Sequence, residues 1–147
     1  MTGMTEKFSV HIEAPVAEVF DFFRNPMNWH TVSRGVVFKD VHVTPDGVGT
    51  YYAWVSSVAG LRLRGFDVFT EFVPNERITD WSSSDLEGTW TYSFEPEGDG
   101  TRLTMENHVR SLWRIPPLGR LLEHAAAKGH GKVLAELKET MEAGRAA

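Results

Sequence analysis

Apolar and polar residues alternate through Phe8-Ser9-Val10-His11-Ile12, the pattern of a strand with one buried face. Glu13-Ala14 ends that run, and Pro15 suits the first position of a helix, where its missing N–H is no loss. Val16, Val19, Phe20 and Phe23 then recur at i, i+3, i+4 and i+7, predicting a short amphipathic helix to about Arg24. Asn25-Pro26 stops it and reads equally well as the cap and first residue of a second short helix, Pro26 to Ser33. From Val36 to Val109 the chain turns to β-branched and aromatic runs. They are separated by Pro45-Asp46-Gly47, Ala59-Gly60, Pro74-Asn75, the polar cluster from Ser82 to Asp85, and Gly98-Asp99-Gly100. The runs Val36–Val43, Gly49–Val58, Leu61–Val73, Arg77–Ser82, Thr89–Phe94 and Thr101–Val109 predict an antiparallel meander. After Pro116-Pro117, Leu118, Leu122, Ala125, Gly129, Val133, Leu137 and Met141 form a stripe at helical period, widened by Leu121 and Leu134, and predict a long helix to about Glu142. Gly129 and Gly131 each cost such a helix roughly 1 kcal/mol against Ala, so something other than helix propensity favours them.

Strand, two short helices, six strands and a long helix make an α+β chain. A sheet of six or seven antiparallel strands has to cover its apolar face, and the final helix carries the matching stripe. A curved sheet closed around that helix follows. With no linker, repeat or low-complexity tract, residues 1–147 are expected to form a single domain with its core at about 8–142.

Several short segments, in this order, resemble one superfamily. Ile12-Glu13-Ala14-Pro15 followed by Val19-Phe20 is similar to its strand-to-helix junction, and Gly47-Val48-Gly49-Thr50 to its turn into the third strand. Glu71-Phe72-Val73-Pro74-Asn75-Glu76-Arg77-Ile78 resembles its E-x-x-P-x-x-R-I hairpin. Phe94-Glu95-Pro96 and Gly100-Thr101-Arg102-Leu103-Thr104 resemble its last hairpin, with Leu137-Lys138 near the end of its terminal helix. The superfamily is the START-related SRPBCC group of helix-grip proteins, and within it the polyketide cyclase/dehydrase-like group. The resemblance spans about residues 8 to 142 and rests on fold signatures; no catalytic motif is among them. It implies a deep cavity between sheet and helix for a lipid, polyketide, steroid-like or other apolar molecule. Fold alone does not set the chemistry.

Strand parity supplies candidate ligand contacts. Trp90, Tyr92 and Phe94 share a face, as do Leu103, Met105 and Asn107, and Tyr52 and Trp54 sit together in the third strand. The terminal helix adds Leu121, Ala125 and Gly129, the last leaving room opposite the rings. In the fourth strand Leu61 and Leu63 fall on one face and Phe66, a further candidate ligand contact, falls with Val68, Thr70 and Phe72 on the other. Two arrangements stay open there. Gly65 marks a β-bulge that swaps the faces, or Arg62 and Arg64 lie inward beside Phe66, where a guanidinium would meet a carboxylate, phenolate or enolate. Asp67 faces the same choice on the opposite parity.

The chain has 147 residues, 41% hydrophobic and 12% aromatic, with a net charge of −5. The charge and the lack of a clustered basic footprint argue against nucleic acid as a partner. With 0 Cys, disulfides, zinc–thiolate sites and thiol catalysis are excluded. The polar start from Met1 to Lys7 holds no apolar signal core, and no run approaches the ~18 apolar residues of a membrane span. A cytoplasmic protein is expected. None of His11, His30, His42, His108, His124 and His130 stands at a ligand spacing, so no metal and no cofactor are expected. His124, beside the apolar stripe, is with Arg62 and Arg64 a candidate acid–base or anchoring group.

Three functions fit these residues: a binder or carrier of a small hydrophobic molecule, as monomer or homodimer; a cofactor-independent aromatase/cyclase-type enzyme working in the same cavity; and an interaction module using the segment around Trp113. The enzyme needs inward polar groups, for which Arg62, Arg64, Tyr52, Asn107 and His124 are the candidates.

Overall fold

A computed structural model of the chain describes residues 4–31, 36–58, 60–84, 86–111 and 133–144. The expected strand–helix–strand order is there. β1 (Met4–Ile12) leads into α1 (Val16–Phe23), a 3-10 turn (Pro26–Thr31), and six further strands. These are β2 (Val36–His42), β3 (Tyr51–Val58), β4 (Leu61–Val73), β5 (Arg77–Ser84), β6 (Leu86–Glu97) and β7 (Gly100–Ser111). A helix over 133–144, here α2, lies in the stretch where the sequence predicts the terminal helix. All ladders are antiparallel, and the sheet runs β1-β7-β6-β5-β4-β3-β2. β2 to β7 are a meander, and β1 closes onto the last strand with Phe8 opposite Met105 and Ile12 opposite Thr101. This is the α+β helix-grip architecture.

Alternation decides what turns inward. Ile12, Tyr52, Leu63, Ile78, Trp90, Tyr92, Phe94, Leu103, Met105 and Val109 are buried in one cluster with Leu134 and Leu137 of α2. The sheet's inner face and the helix stripe therefore make one core. α1 closes one end: Phe20 meets Phe72 and Phe94 edge-on, each at 5.1 Å between centroids, and Phe23 lies 4.4 Å from Tyr92. α2 is pinned to the end of β1. Lys138 Nζ donates to the His11 carbonyl at 2.8 Å and to Glu142 at 2.6 Å, and Glu142 accepts the Glu13 N–H at 2.8 Å.

Two turns show why the sequence is punctuated where it is. Gly47 has φ +91°, and a Cβ there would strike the Phe72 ring, so only glycine fits. The Pro74-Asn75-Glu76 turn places Asn75 at φ 62°, and across it Arg77 grips Glu71 through two bonds of 2.7 and 3.2 Å. That bidentate pair holds the Glu71 carboxyl below its ordinary range.

β4 follows neither arrangement left open by the sequence. Its register with β3 runs unbroken through Gly65, and the irregularity lies between Phe69 and Glu71 on the β5 side. Leu63, Asp67 and Phe69 are buried, while Arg62, Arg64 and Phe66 are exposed on the outer face. Past the bulge the parity swaps, which brings Phe72 back into the core. The inward guanidinium is thus corrected to an inward carboxylate, Asp67.

Candidate functional site

The inner face is largely apolar, with a polar band across its middle. Tyr52, Asp67 and Ser82 stand side by side in register across β3, β4 and β5. One step along, Asp80, Trp90 and Asn107 stand side by side across β5, β6 and β7. Asp80, Ser82 and Asn107 are each 1% exposed, an expensive placement for polar groups unless something bonds to them.

Part of the band satisfies itself. Trp54 Nε1–H donates to Asp67 Oδ1 at 2.8 Å. Tyr52 Oη lies 2.9 Å from Asp67 Oδ2 and 2.8 Å from Asp80 Oδ2. The phenol has one hydrogen, so it donates to only one of these carboxyls, and the second contact needs a proton on the carboxyl itself. Burial first, and then the neighbouring Asp67, push Asp80 well above the ordinary carboxylate range. Burial raises Asp67 too, opposed by its hydrogen-bonding neighbours, Asp80, Ser82, Trp54 and Tyr52. Burial thus favours a proton on the pair, most strongly on Asp80. Burial first, and then Asp67 and Asp80, push the Tyr52 phenol well above its ordinary range; burial, then Asp80 and Asp67, do the same for Tyr92.

The rest is not satisfied. Asp80 Oδ1, Ser82 Oγ and both carboxamide atoms of Asn107 have no hydrogen-bond partner among the described residues. Ser82 stands near enough to Asp67 to favour its carboxylate, but no bond of accepted geometry joins them.

Of the residues singled out by sequence, Tyr52, Trp54, Trp90, Tyr92 and Asn107 come together in or beside this band. Phe94, Leu103 and Met105 are buried at the α1 end of the same face, Phe94 against Phe20 and Phe23. Phe66 is apart from them, 44% exposed on the outer face, where it meets Tyr51 at 5.4 Å. Arg62 and Arg64 share that outer face. His124, Leu121, Ala125 and Gly129, like Trp113, lie outside the described residues. Asp80 and Ser82 escape a reading by parity: Ile78 and Trp81 fall on opposite faces of β5, so hydrophobicity does not say which face is inside. Among the described residues no group of three or more His, Asp or Glu is placed to hold a metal, and no helix is long and apolar enough to cross a membrane.

A curved antiparallel sheet gripping a C-terminal helix, with its polar band on the gripped face, defines a helix-grip protein. The chain belongs to the family described as polyketide cyclase / dehydrase and lipid transport, whose profile matches residues 5–142. Family membership points to hydrophobic ligands. Among solved structures, TTHA0849 from Thermus thermophilus is similar at TM-score 0.83 and 21% identity, over 96% of this chain and 99% of that one. CV1439 from Chromobacterium violaceum matches at 0.71 and 22%, over 94% and 97%. NE0264 from Nitrosomonas europaea matches at 0.72 and 17%, over 98% and 97%. At these identities the structures show the fold alone. No protein with a curated description matches the chain.

Proposed function

We propose that the protein binds a small hydrophobic molecule between the inner face of its sheet and its C-terminal helix, acting as a single domain. One observation carries this reading: polar atoms of Asp80, Ser82 and Asn107 are buried on a largely apolar face without partners among the described residues. A folded chain does not bury such atoms for stability, since each lost bond costs about 1–3 kcal/mol. A ligand that brings partners offsets that cost. The net charge of −5 supports a role without nucleic acid. The test is native mass spectrometry of the protein titrated with the neutral dye prodan, with extraction of anything that co-purifies. Uptake of one equivalent, or a retained apolar molecule that prodan displaces, supports the reading. A protein that carries nothing and takes up no prodan overturns it.

A second reading, cyclase-type chemistry in the same place, is favoured by two buried carboxyls, Asp67 and Asp80, meeting at the Tyr52 hydroxyl. A buried acid next to its conjugate base can hand a proton to a ligand and take it back. Conversion of a poly-β-ketone mimic by the wild type, lost in Asp80→Leu while prodan still binds, would distinguish the enzyme from the carrier.

A further inference from the structure

The polar band also restricts which ligand end it can accept, an inference that rests on the binding reading above. Asp80 and Asn107 flank Trp90 in direct cross-strand register, two ladder spacings or roughly 10 Å apart at the backbone. Between them they leave an acceptor on Asp80 and both a donor and an acceptor on Asn107, all buried and unpartnered among the described residues. A hydroxyl, which donates and accepts through one atom, answers both kinds of group at once. Charge narrows the choice further. Asp67 and Asp80 bring two carboxyls to this face, and Glu6, directly opposite Asn107 on β1, is a third. Among the described residues, no Lys or Arg side chain of the strands turns inward: Arg62, Arg64 and Arg77 are exposed on the outer face. A carboxylate entering the band would meet these carboxyls with no inward strand cation among the described side chains to neutralise it.

We infer that the site seats the neutral, hydroxyl-bearing end of an apolar, planar molecule and rejects the carboxylate end of a fatty or aromatic acid. Trp90 supplies the apolar floor. Asn107 and Asp80 supply the two polar ends, and the Asp67 carboxyl, held by Trp54 and Tyr52, supplies the discrimination.

Three probes of one shape test this by titration calorimetry at neutral pH: naphthalene, 2-naphthol and 2-naphthoate. The expected order of affinity is naphthol first, by about tenfold over naphthalene for the bonds gained, with naphthoate weakest. Asn107→Leu should lower naphthol to the affinity of naphthalene without weakening naphthalene. Asp67→Asn should narrow the gap between naphthol and naphthoate, so the proposal does not depend on one variant folding. Naphthol binding no tighter than naphthalene overturns the hydroxyl seat while the apolar site stands. Naphthoate binding tightest overturns the charge argument and points to an unseen cation. Failure of all three probes overturns the binding reading, and the seat with it.

Discussion

At the scale of single residues, one phenol hydrogen stands between two carboxyls. Tyr52 within 2.9 Å of both Asp67 and Asp80 requires a proton on the pair, and this has a consequence for stability. Asp80 binds its proton more tightly folded than unfolded, because burial disfavours the charge. Its favourable contribution is therefore complete below the ordinary Asp range and is lost as pH rises toward the raised folded-state value. The slope is up to about 1.4 kcal/mol per pH unit within that window. Asp80→Asn keeps the shape and removes the titration. Relative to wild type, the variant should gain stability as pH rises above the ordinary Asp range, read from urea midpoints; a difference that stays constant with pH would contradict a proton held on Asp80. Glu71 and Glu142, whose pKa values are lowered, act in the opposite direction at lower pH, but they are common to both proteins and cancel. Tyr52→Phe should cost about 1–3 kcal/mol, since it leaves both facing carboxyl oxygens without their common partner.

Part of this was legible in advance. Tyr52, Trp54, Trp90, Tyr92 and Asn107 follow from alternation on strands whose apolar side is plain. Asp80 does not, because a buried acid contradicts the rule that reads polar as outside, and Trp81, 36% exposed beside it, contradicts the same rule in reverse. Two adjacent exceptions make the strand readable only with its neighbours in place.

At the scale of elements, the bulge between Phe69 and Glu71 is what makes β4 serve both ends of the core. Before it Asp67 faces the polar band; after it Phe72 packs under Phe20 and against Gly47. The alternation in this strand allows a face swap, and Gly65 is the residue with a conformational excuse for one. The irregularity lies instead between two non-glycine residues. Gly47→Ala should lose more stability than Gly98→Ala. Both have positive φ, which costs an L-residue about 1–2 kcal/mol, but Gly98 opens onto space while a Cβ at Gly47 displaces the Phe72 ring. Equal losses in chemical denaturation would mean that Phe72 yields freely. For α2, the Lys138 bond to the His11 carbonyl is half-exposed. Lys138→Met should change global stability by under about 1 kcal/mol while speeding amide exchange over 133–144; unchanged exchange would show that Leu134 and Leu137 hold the helix without it.

At the scale of the whole molecule, the order of the strands and most of their boundaries were present in the turn residues, because Gly, Pro and Asn at the turns fix where a meander must reverse; β1 and β6 run three or four residues further than the pattern showed, β1 at its start and β6 at both ends. The closure of β1 onto β7 was not present in the turns. It depends on long-range pairing between the first strand and the last, which local pattern does not carry. The central claim is that the ligand sits on the inner face, and the indole N–H signals of the tryptophans read it directly. Trp54 and Trp90 lie on the inner face and Trp81 on the outer. In an ¹⁵N NMR titration with 2-naphthol, the account predicts that the Trp54 and Trp90 indole signals move together and saturate at one equivalent, while Trp81 stays still. Movement confined to Trp81, or shifts that never saturate, would put the ligand on the exposed outer face and contradict the account.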